Sequence, residues 1–208
     1  VMQYYQQRNI KDIRVDDVYI GNGVSEMIMM AMQALLNHGD EVLIPSPDYP
    51  LWTAAVSLSS GSPVHYRCDE QAGWFPDLDD IKSKITSKTR AIVLINPNNP
   101  TGRELDPAKL TAFAKRVSQK TQVFIDEAYI EMSAGYPGNV QSSLAAEGYN
   151  VVICRTFSKR PSEPIRASAR CRRSRKEPIS IKSPLFSGPW LVRVSGLFNS
   201  FKATSSRS

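Results

Sequence analysis

The sequence predicts a three-layer α/β sandwich built on a mostly parallel sheet. Three observations lead to it. Short β-branched runs alternate with amphipathic helical stretches from Asp17 to Thr156, the order that successive βα units produce. One helical stretch carries both a start signal and a regular apolar face. Segments rich in Gly, Pro, Asn and Asp fall directly after the strand runs, at the end of the sheet where open α/β domains bind ligands.

Taken in order, the first strand spans Val18 to Gly21 and passes through a glycine turn into a helix over Ser25 to Leu36. Glu41 to Ile44 forms the second strand, and a proline-bounded loop leads from it to a helix over Tyr49 to Ser57. Val64 to Arg67 is the third strand, followed by a helix over Leu78 to Ile85. Ala91 to Ile95 is an unbroken apolar run, as expected of a strand buried on both faces. The helix over Pro107 to Val117 has the clearest signature: Asp106 caps it, Pro107 suits the first turn, and Leu110, Phe113, Ala114 and Val117 recur at helical spacing. Val123 to Ile125 and Val151 to Thr156 complete the strands. There is no internal repeat.

Beyond Lys159 this order stops. Arg160 to Lys176 is a run of Arg, Ser and Pro without apolar periodicity, and residues 177 to 208 scatter Phe, Leu, Val and Trp190 among Ser, Gly and Pro. Such a composition specifies a packed element only weakly. The expected organisation is therefore a domain over 1–159 and a basic tail over 160–208.

Charge follows the same division. The net +6 of the 208 residues arises from 14 basic against 18 acidic side chains up to Ser158 and 12 against 2 from Lys159 onward. Arg170 to Lys176 is the strongest basic patch, but it lacks the interleaved aromatics of a single-strand binding platform, so a nucleic-acid role is not expected. Hydrophobic residues at 41% and charged residues at 22% are ordinary for a folded domain. No apolar run approaches the ~20 residues that span a bilayer, and the start, Val-Met-Gln-Tyr-Tyr, shows no secretory pattern. A soluble, cytoplasmic protein is expected. Cys68, Cys154 and Cys171 are widely spaced and odd in number, which suits neither a disulfide framework nor a metal knuckle. His38 and His65 stand without metal-ligand or triad partners, and no metal site is expected.

Four segments carry the chemistry, the fourth being a pair of runs that each follow a strand. Gly21-Asn22-Gly23-Val24-Ser25-Glu26 joins a strand to a helix start, where backbone N–H groups and the helix dipole favour an anion such as a phosphate. By itself the same run also reads as a plain glycine turn with Ser25 as helix cap. Pro45-Ser46-Pro47-Asp48-Tyr49-Pro50 presents one aromatic ring that suits stacking on a flat heteroaromatic, although a lone loop tyrosine is more commonly a packing residue. Asn96-Pro97-Asn98-Asn99-Pro100-Thr101-Gly102 is a loop stiffened by prolines, in which an Asn amide can donate to a ring oxygen with little entropy left to lose. Asp126-Glu127-Ala128-Tyr129 and Thr156-Phe157-Ser158-Lys159 each follow an apolar strand. A carboxylate there can keep a pyridine nitrogen protonated, and a lysine can hold an aldehyde covalently. Taken singly, Asp126 also reads as a strand-end cap and Lys159 as a solvated charge.

In this order the segments resemble the class I/II aminotransferases of fold type I, and the resemblance covers about residues 1 to 159. The combination of Asn-Asn-Pro-Thr-Gly, Asp-Glu-Ala-Tyr and the Ser-Lys ending is specific. The resemblance implies an incomplete large domain of a pyridoxal 5'-phosphate (PLP) enzyme that transfers an amino group between an amino acid and a 2-oxo acid as a homodimer. It makes Lys159 the cofactor-holding lysine and catalytic base, and Asp126 the partner of the pyridine nitrogen. Asn99 and Tyr129 would bond the ring oxygen, and Tyr49 would stack on the ring. Val24 and Ser25, with Thr156 or Ser158, would hold the phosphate. Residues 1 to about 110 look like bacterial glutamate-pyruvate (alanine) aminotransferases, while Val123 to Lys159 is closer to histidinol-phosphate aminotransferases.

The sequence also departs from that pattern. The family has an arginine eight residues after the lysine, which clamps the phosphate. Here that position is Ala167, with Arg166 and Arg170 nearby. The small C-terminal domain, with its substrate-carboxylate arginine, and the N-terminal arm both fall outside the 208 residues. The abrupt change after Lys159 suggests a shifted reading frame or a mispredicted gene, since codons for Arg160, Pro161 and Ser162 permit Ala-Phe-Gly in another frame. A chain without the small domain is expected to expose apolar surface and to fold weakly. Two further readings share the Lys159 site: a carbon-sulfur lyase on the same scaffold, and an inactive PLP-binding protein.

Overall fold

The computed structural model describes residues 2–7, 14–156, 158–159 and 190–194. In chain order the elements are α1 (Met2–Gln7), β1 (Val18–Gly21), α2 (Val24–Leu35), β2 (Glu41–Ser46), α3 (Pro50–Leu58), β3 (Ser62–Asp69), β4 (Phe75–Pro76) and α4 (Leu78–Lys84). They continue with β5 (Thr89–Ile95), α5 (Pro107–Val117), β6 (Gln122–Asp126), α6 (Ser142–Ala146), β7 (Val151–Arg155) and β8 (Trp190–Val194). Single 3-10 turns lie at Val15–Asp17 and Ile130–Met132.

All eight strands join one sheet in the order β1-β8-β7-β6-β5-β2-β3-β4. The run β7-β6-β5-β2-β3 is parallel throughout. β8 lies antiparallel between β1 and β7, and β4 pairs antiparallel with β3 at the far edge.

Alternation along the strands divides the core into two layers, because successive side chains leave a strand on opposite faces. On one face Val42, Ile44, Val93, Phe124 and Val152 pack under Ile28 and Met32 of α2 and Trp52 and Val56 of α3. On the other Leu43, Ile92, Leu94, Val123 and Ile153 pack under Ile81 of α4, Leu110 and Ala114 of α5, and Leu144 of α6. Near-complete exclusion of water from both sets is the main stabilising term of the domain. This is the three-layer, mostly parallel sandwich that the sequence predicts.

The differences from expectation are local and have physical causes. β2 runs on through Pro45 to Ser46, since a proline is tolerated where a strand leaves its ladder. α2 begins at Val24, not Ser25: its cap is Gly23, at φ +99°, and no side chain caps it. Ser25 is thus the second helical residue and does not serve as the cap. Pro50 opens α3, so Tyr49 stands just outside the helix as its cap residue. β4 has only two residues and α6 five, too short for periodicity to announce them. Trp190–Val194 pairs in the sheet within a stretch whose composition specifies an element only weakly. Asp106 accepts the Lys109 N–H at 2.8 Å and caps α5 as expected.

No helix among the described residues is long and apolar enough to cross a membrane. No metal-binding cluster occurs among them either. Cys68 and Cys154 are free and buried, and burial pushes both thiols upward, Cys68 to about 11, so they stay protonated and unreactive. Cys171 lies outside the described residues.

Candidate active site

The register of the central strands sets the stage. Ile95 at the end of β5 stands beside Asp126 at the end of β6, and Asp126 beside Cys154 near the end of β7. Three strands therefore finish level, and the segments leaving them open on the same edge of the sheet.

At that edge lies a cavity of about 240 Å³, lined by Gly23, Val24, Ser25, Tyr49, Ile95, Asn99, Asp126, Ala128, Tyr129, Thr156, Ser158 and Lys159. Every one of the nine candidate residues contributes to its wall: Val24, Ser25, Tyr49, Asn99, Asp126, Tyr129, Thr156, Ser158 and Lys159. A larger cavity of about 320 Å³ lies on the opposite face, between β4, α4 and α5. Its walls are mainly Phe75, Leu78, Ile81, Leu94, Leu110 and Phe113, and of its charged residues Asp106 already caps α5. A ligand site needs a few convergent polar groups as well as volume, so the smaller cavity is the functional candidate.

Each wall has a local cause. The N-terminus of α2 closes one side. Glycine at position 23 permits φ +99°, and Val24 and Ser25 follow as the first helical residues, whose N–H groups have no acceptor within the helix. Glu26 turns its carboxylate back onto the Asn22 N–H, bracing the turn.

The loop after β5 uses its three asparagines differently. Asn96 Oδ1 accepts the Leu105 N–H at 2.8 Å. Asn98 Oδ1 accepts the Thr101 N–H at 3.1 Å and the Thr101 hydroxyl at 2.8 Å. Both therefore build the loop, and Asn99 lines the cavity.

Asp126 closes the floor. It is 3% exposed. Oδ1 accepts the Ala128 N–H at 3.0 Å and Oδ2 accepts the indole N–H of Trp52, also at 3.0 Å. Burial raises its carboxyl above the ordinary range, and the bonds from Trp52 and Ala128 oppose that rise. Glu127, the next residue, points to the other face of the sheet, where burial lifts it to about 7 against the pull of Arg155.

Lys159 arrives through a serine/threonine turn. The Ser158 N–H donates to Thr156 Oγ1 at 3.1 Å, and the two hydroxyls lie 3.1 Å apart. Lys159 Nζ then stands 5.7 Å from the centroid of the Tyr129 ring. An amine, a buried carboxylate, a phenol, an amide and a helix N-terminus thus converge from four segments, with Asp126 and Tyr129 on the same one. Such a set can hold a flat ring that bears a phosphate, an aldehyde and a ring nitrogen.

Two residues in this framework are not apparent from sequence. Trp52 reads as one more apolar residue on α3, yet a buried indole N–H needs an acceptor, and that requirement is the signal that points to a polar partner. Arg155 ends an otherwise apolar strand, and its charge there implies buried carboxylates opposite. Ala167, Arg166 and Arg170, the positions around the expected phosphate clamp, lie outside the described residues.

Comparison with known proteins gives concordant results. The family profile "Aminotransferase class I and II" matches residues 1–162. The glutamate-pyruvate aminotransferase AlaA of Escherichia coli K12 is 61% identical over 130 residues, covering 62% of this chain and 32% of that protein. Histidinol-phosphate aminotransferase 2 of Carboxydothermus hydrogenoformans is 33% identical over 147 residues, covering 69% of this chain and 39% of that protein. Among solved structures, an aminotransferase from Escherichia coli superposes with a TM-score of 0.68 at 52% identity, over 76% of this chain and 39% of that one. The chain spans about a third of the length of the curated relatives it matches.

Proposed function

The chain belongs to the class I and II aminotransferases, and from that premise we propose that it is the cofactor-binding part of a PLP-dependent enzyme that moves an amino group between an amino acid and a 2-oxo acid. The observation that carries the reading is the meeting of Lys159, Asp126, Asn99 and Tyr129 in one cavity beside the N-terminus of α2. Those groups come from segments far apart in sequence, and their chemistry matches the cofactor group by group. The buried Asp126 carboxylate suits a protonated ring nitrogen. The α2 N-terminus with the Thr156 and Ser158 hydroxyls suits the phosphate.

When bound, the cofactor supplies an electron sink that makes the substrate's α-proton acidic. This chain's own residues do the rest. Lys159 Nζ would hold the cofactor's aldehyde and would serve as the base that takes the substrate's α-proton. Asp126 would keep the ring nitrogen protonated. Asn99 Nδ2 and the Tyr129 hydroxyl would donate to the ring oxygen, and Tyr49 would cover one ring face. Each group is positioned beforehand by a strand end or a braced turn, so little reorganisation is required as charge develops.

Glutamate-pyruvate exchange is the preferred substrate pair, supported by the 61% identity to AlaA. The 33% identity to the histidinol-phosphate enzyme supports the alternative less. A second copy of the chain is the expected partner, as the family implies.

The test is spectroscopic and then kinetic. Purified chain mixed with PLP should develop the visible band of lysine-bound cofactor, and Lys159→Ala should not. No band in the wild type would leave family membership intact but remove the functional reading. Turnover of alanine that depends on added 2-oxoglutarate separates a transferase from a carbon-sulfur lyase, which needs no amino acceptor.

A further inference from the structure

We propose that Trp52 is a positioning residue for Asp126, its indole N–H fixing the carboxylate in the orientation and the anionic form that the cofactor's ring nitrogen requires. The inference rests on the reading of Asp126 given above and extends it to a residue outside the cavity wall.

The geometry is specific. Asp126 lies on the same face of β6 as Phe124, because the two are separated by one residue. That face is covered by α3, and Trp52, completely buried, packs edge-on against Phe124 with ring centroids 5.6 Å apart at 63°. The packing aims Nε1 at Asp126 Oδ2, 3.0 Å away across 74 residues of sequence. Oδ1 is held by the Ala128 N–H at 3.0 Å. Each oxygen of a carboxylate has two lone-pair directions, so each keeps one that these bonds do not use, on a residue that lines the cavity. Rotation of the carboxylate would break both bonds at once. Burial by itself drives an aspartate toward its neutral form, and donors aimed at the anion oppose this. A neutral Asp126 could not hold a ring nitrogen in its protonated state.

α3 also delivers Tyr49, its cap residue, to the cavity wall. One short helix therefore sets both the residue proposed to cover the ring and the residue that orients the ring-nitrogen partner.

The competing explanation is that Trp52 merely fills space and Asp126 happens to satisfy its N–H. The two are separated by the ligand itself. PLP and its 1-deaza analogue, in which the ring nitrogen is replaced by carbon, are titrated into the 208-residue chain carrying Trp52, Trp52→Phe, or the sulfur isostere benzothienylalanine at position 52. Loss of one hydrogen bond to a charged group should weaken PLP about tenfold or more while leaving the analogue within about twofold. The isostere keeps the volume of the indole and lacks only the N–H, so it should reproduce the selective loss even if Trp52→Phe fails to fold. Equal weakening of both ligands, or unchanged PLP affinity, would overturn the proposal. Asp126→Asn is the separate control. If it fails to discriminate the two ligands, the reading of Asp126 falls and the proposal with it. If it discriminates and the position-52 variants do not, the proposal alone falls.

Discussion

Arg155 Nε at the end of β7 lies 3.7 Å from Glu127 Oε2 just past β6, and the two side chains are 5% and 0% exposed. They are the immediate sequence neighbours of Thr156 and Asp126, and Arg155 leaves β7 on the opposite face from Cys154. The Arg155 guanidinium also approaches Glu131 at 3.6 Å and the ring of Tyr136. Above about pH 7, where Glu127 carries its charge, removing the cation from two buried carboxylates leaves charge uncompensated, which typically costs about 3–5 kcal/mol. Arg155→Met should therefore lower the urea midpoint steeply, whereas a change within about 0.5 kcal/mol would show that water reaches the pair.

The same pair sets a pH dependence. Burial holds Glu127 at about 7, above its ordinary value of 4.5. Between those values the folded state binds a proton that the unfolded chain has released. The contribution is thus fully present below about pH 4.5 and declines as pH rises toward 7, by up to roughly 3 kcal/mol. Glu127→Gln cannot titrate, so its stability should vary less across that window. Identical pH profiles for the two proteins would contradict the argument.

The loop after β5 supplies a paired prediction. Asn98 accepts two bonds from Thr101, so Asn98→Ala should destabilise the fold by about 1–2 kcal/mol through lost local bonds. Asn99 lines the cavity. Asn99→Ala should leave the melting profile nearly unchanged and weaken PLP by roughly tenfold, the value of about one hydrogen bond. Calorimetry and cofactor titration of both variants decide it, and a swap of the two outcomes would exchange the roles of the residues.

What the sequence makes legible here follows from range of interaction. Ala91 to Ile95 and Val151 to Cys154 are visible because burial on both faces demands unbroken apolar runs. The polar segments after them are visible because each is a contiguous run, and the sheet register brings such runs together without further information. Trp52 with Asp126 and Arg155 with Glu127 are pairings across the fold, and no local pattern encodes which partner each finds. β4 is invisible for another reason, since two residues carry no period. β8 is hidden because Trp190–Val194 sits in a stretch whose Ser, Gly and Pro content argues against any element.

Gly23 couples the fold to the ligand at a single backbone position. Its φ of +99° and ψ of 152° fall in a region that is essentially restricted to glycine. Only in that conformation does the chain turn from β1 into α2 with Val24 and Ser25 facing the cavity. Gly23→Ala must either strain the turn, at a cost of about 1–3 kcal/mol, or move the helix start. In either case the N–H groups proposed to hold the phosphate lose their aim. PLP should then bind at least about tenfold more weakly, because hydrogen bonds to an anion are among the strongest available. Pyridoxal, which has the same ring and aldehyde but no phosphate, should bind the variant and the wild type alike. Comparing the two ligands removes any general loosening of the cavity from the result. If the glycine substitution weakens pyridoxal as much as PLP, the α2 N-terminus shapes the site without holding the phosphate, and the phosphate must be sought on the Thr156 to Lys159 turn alone.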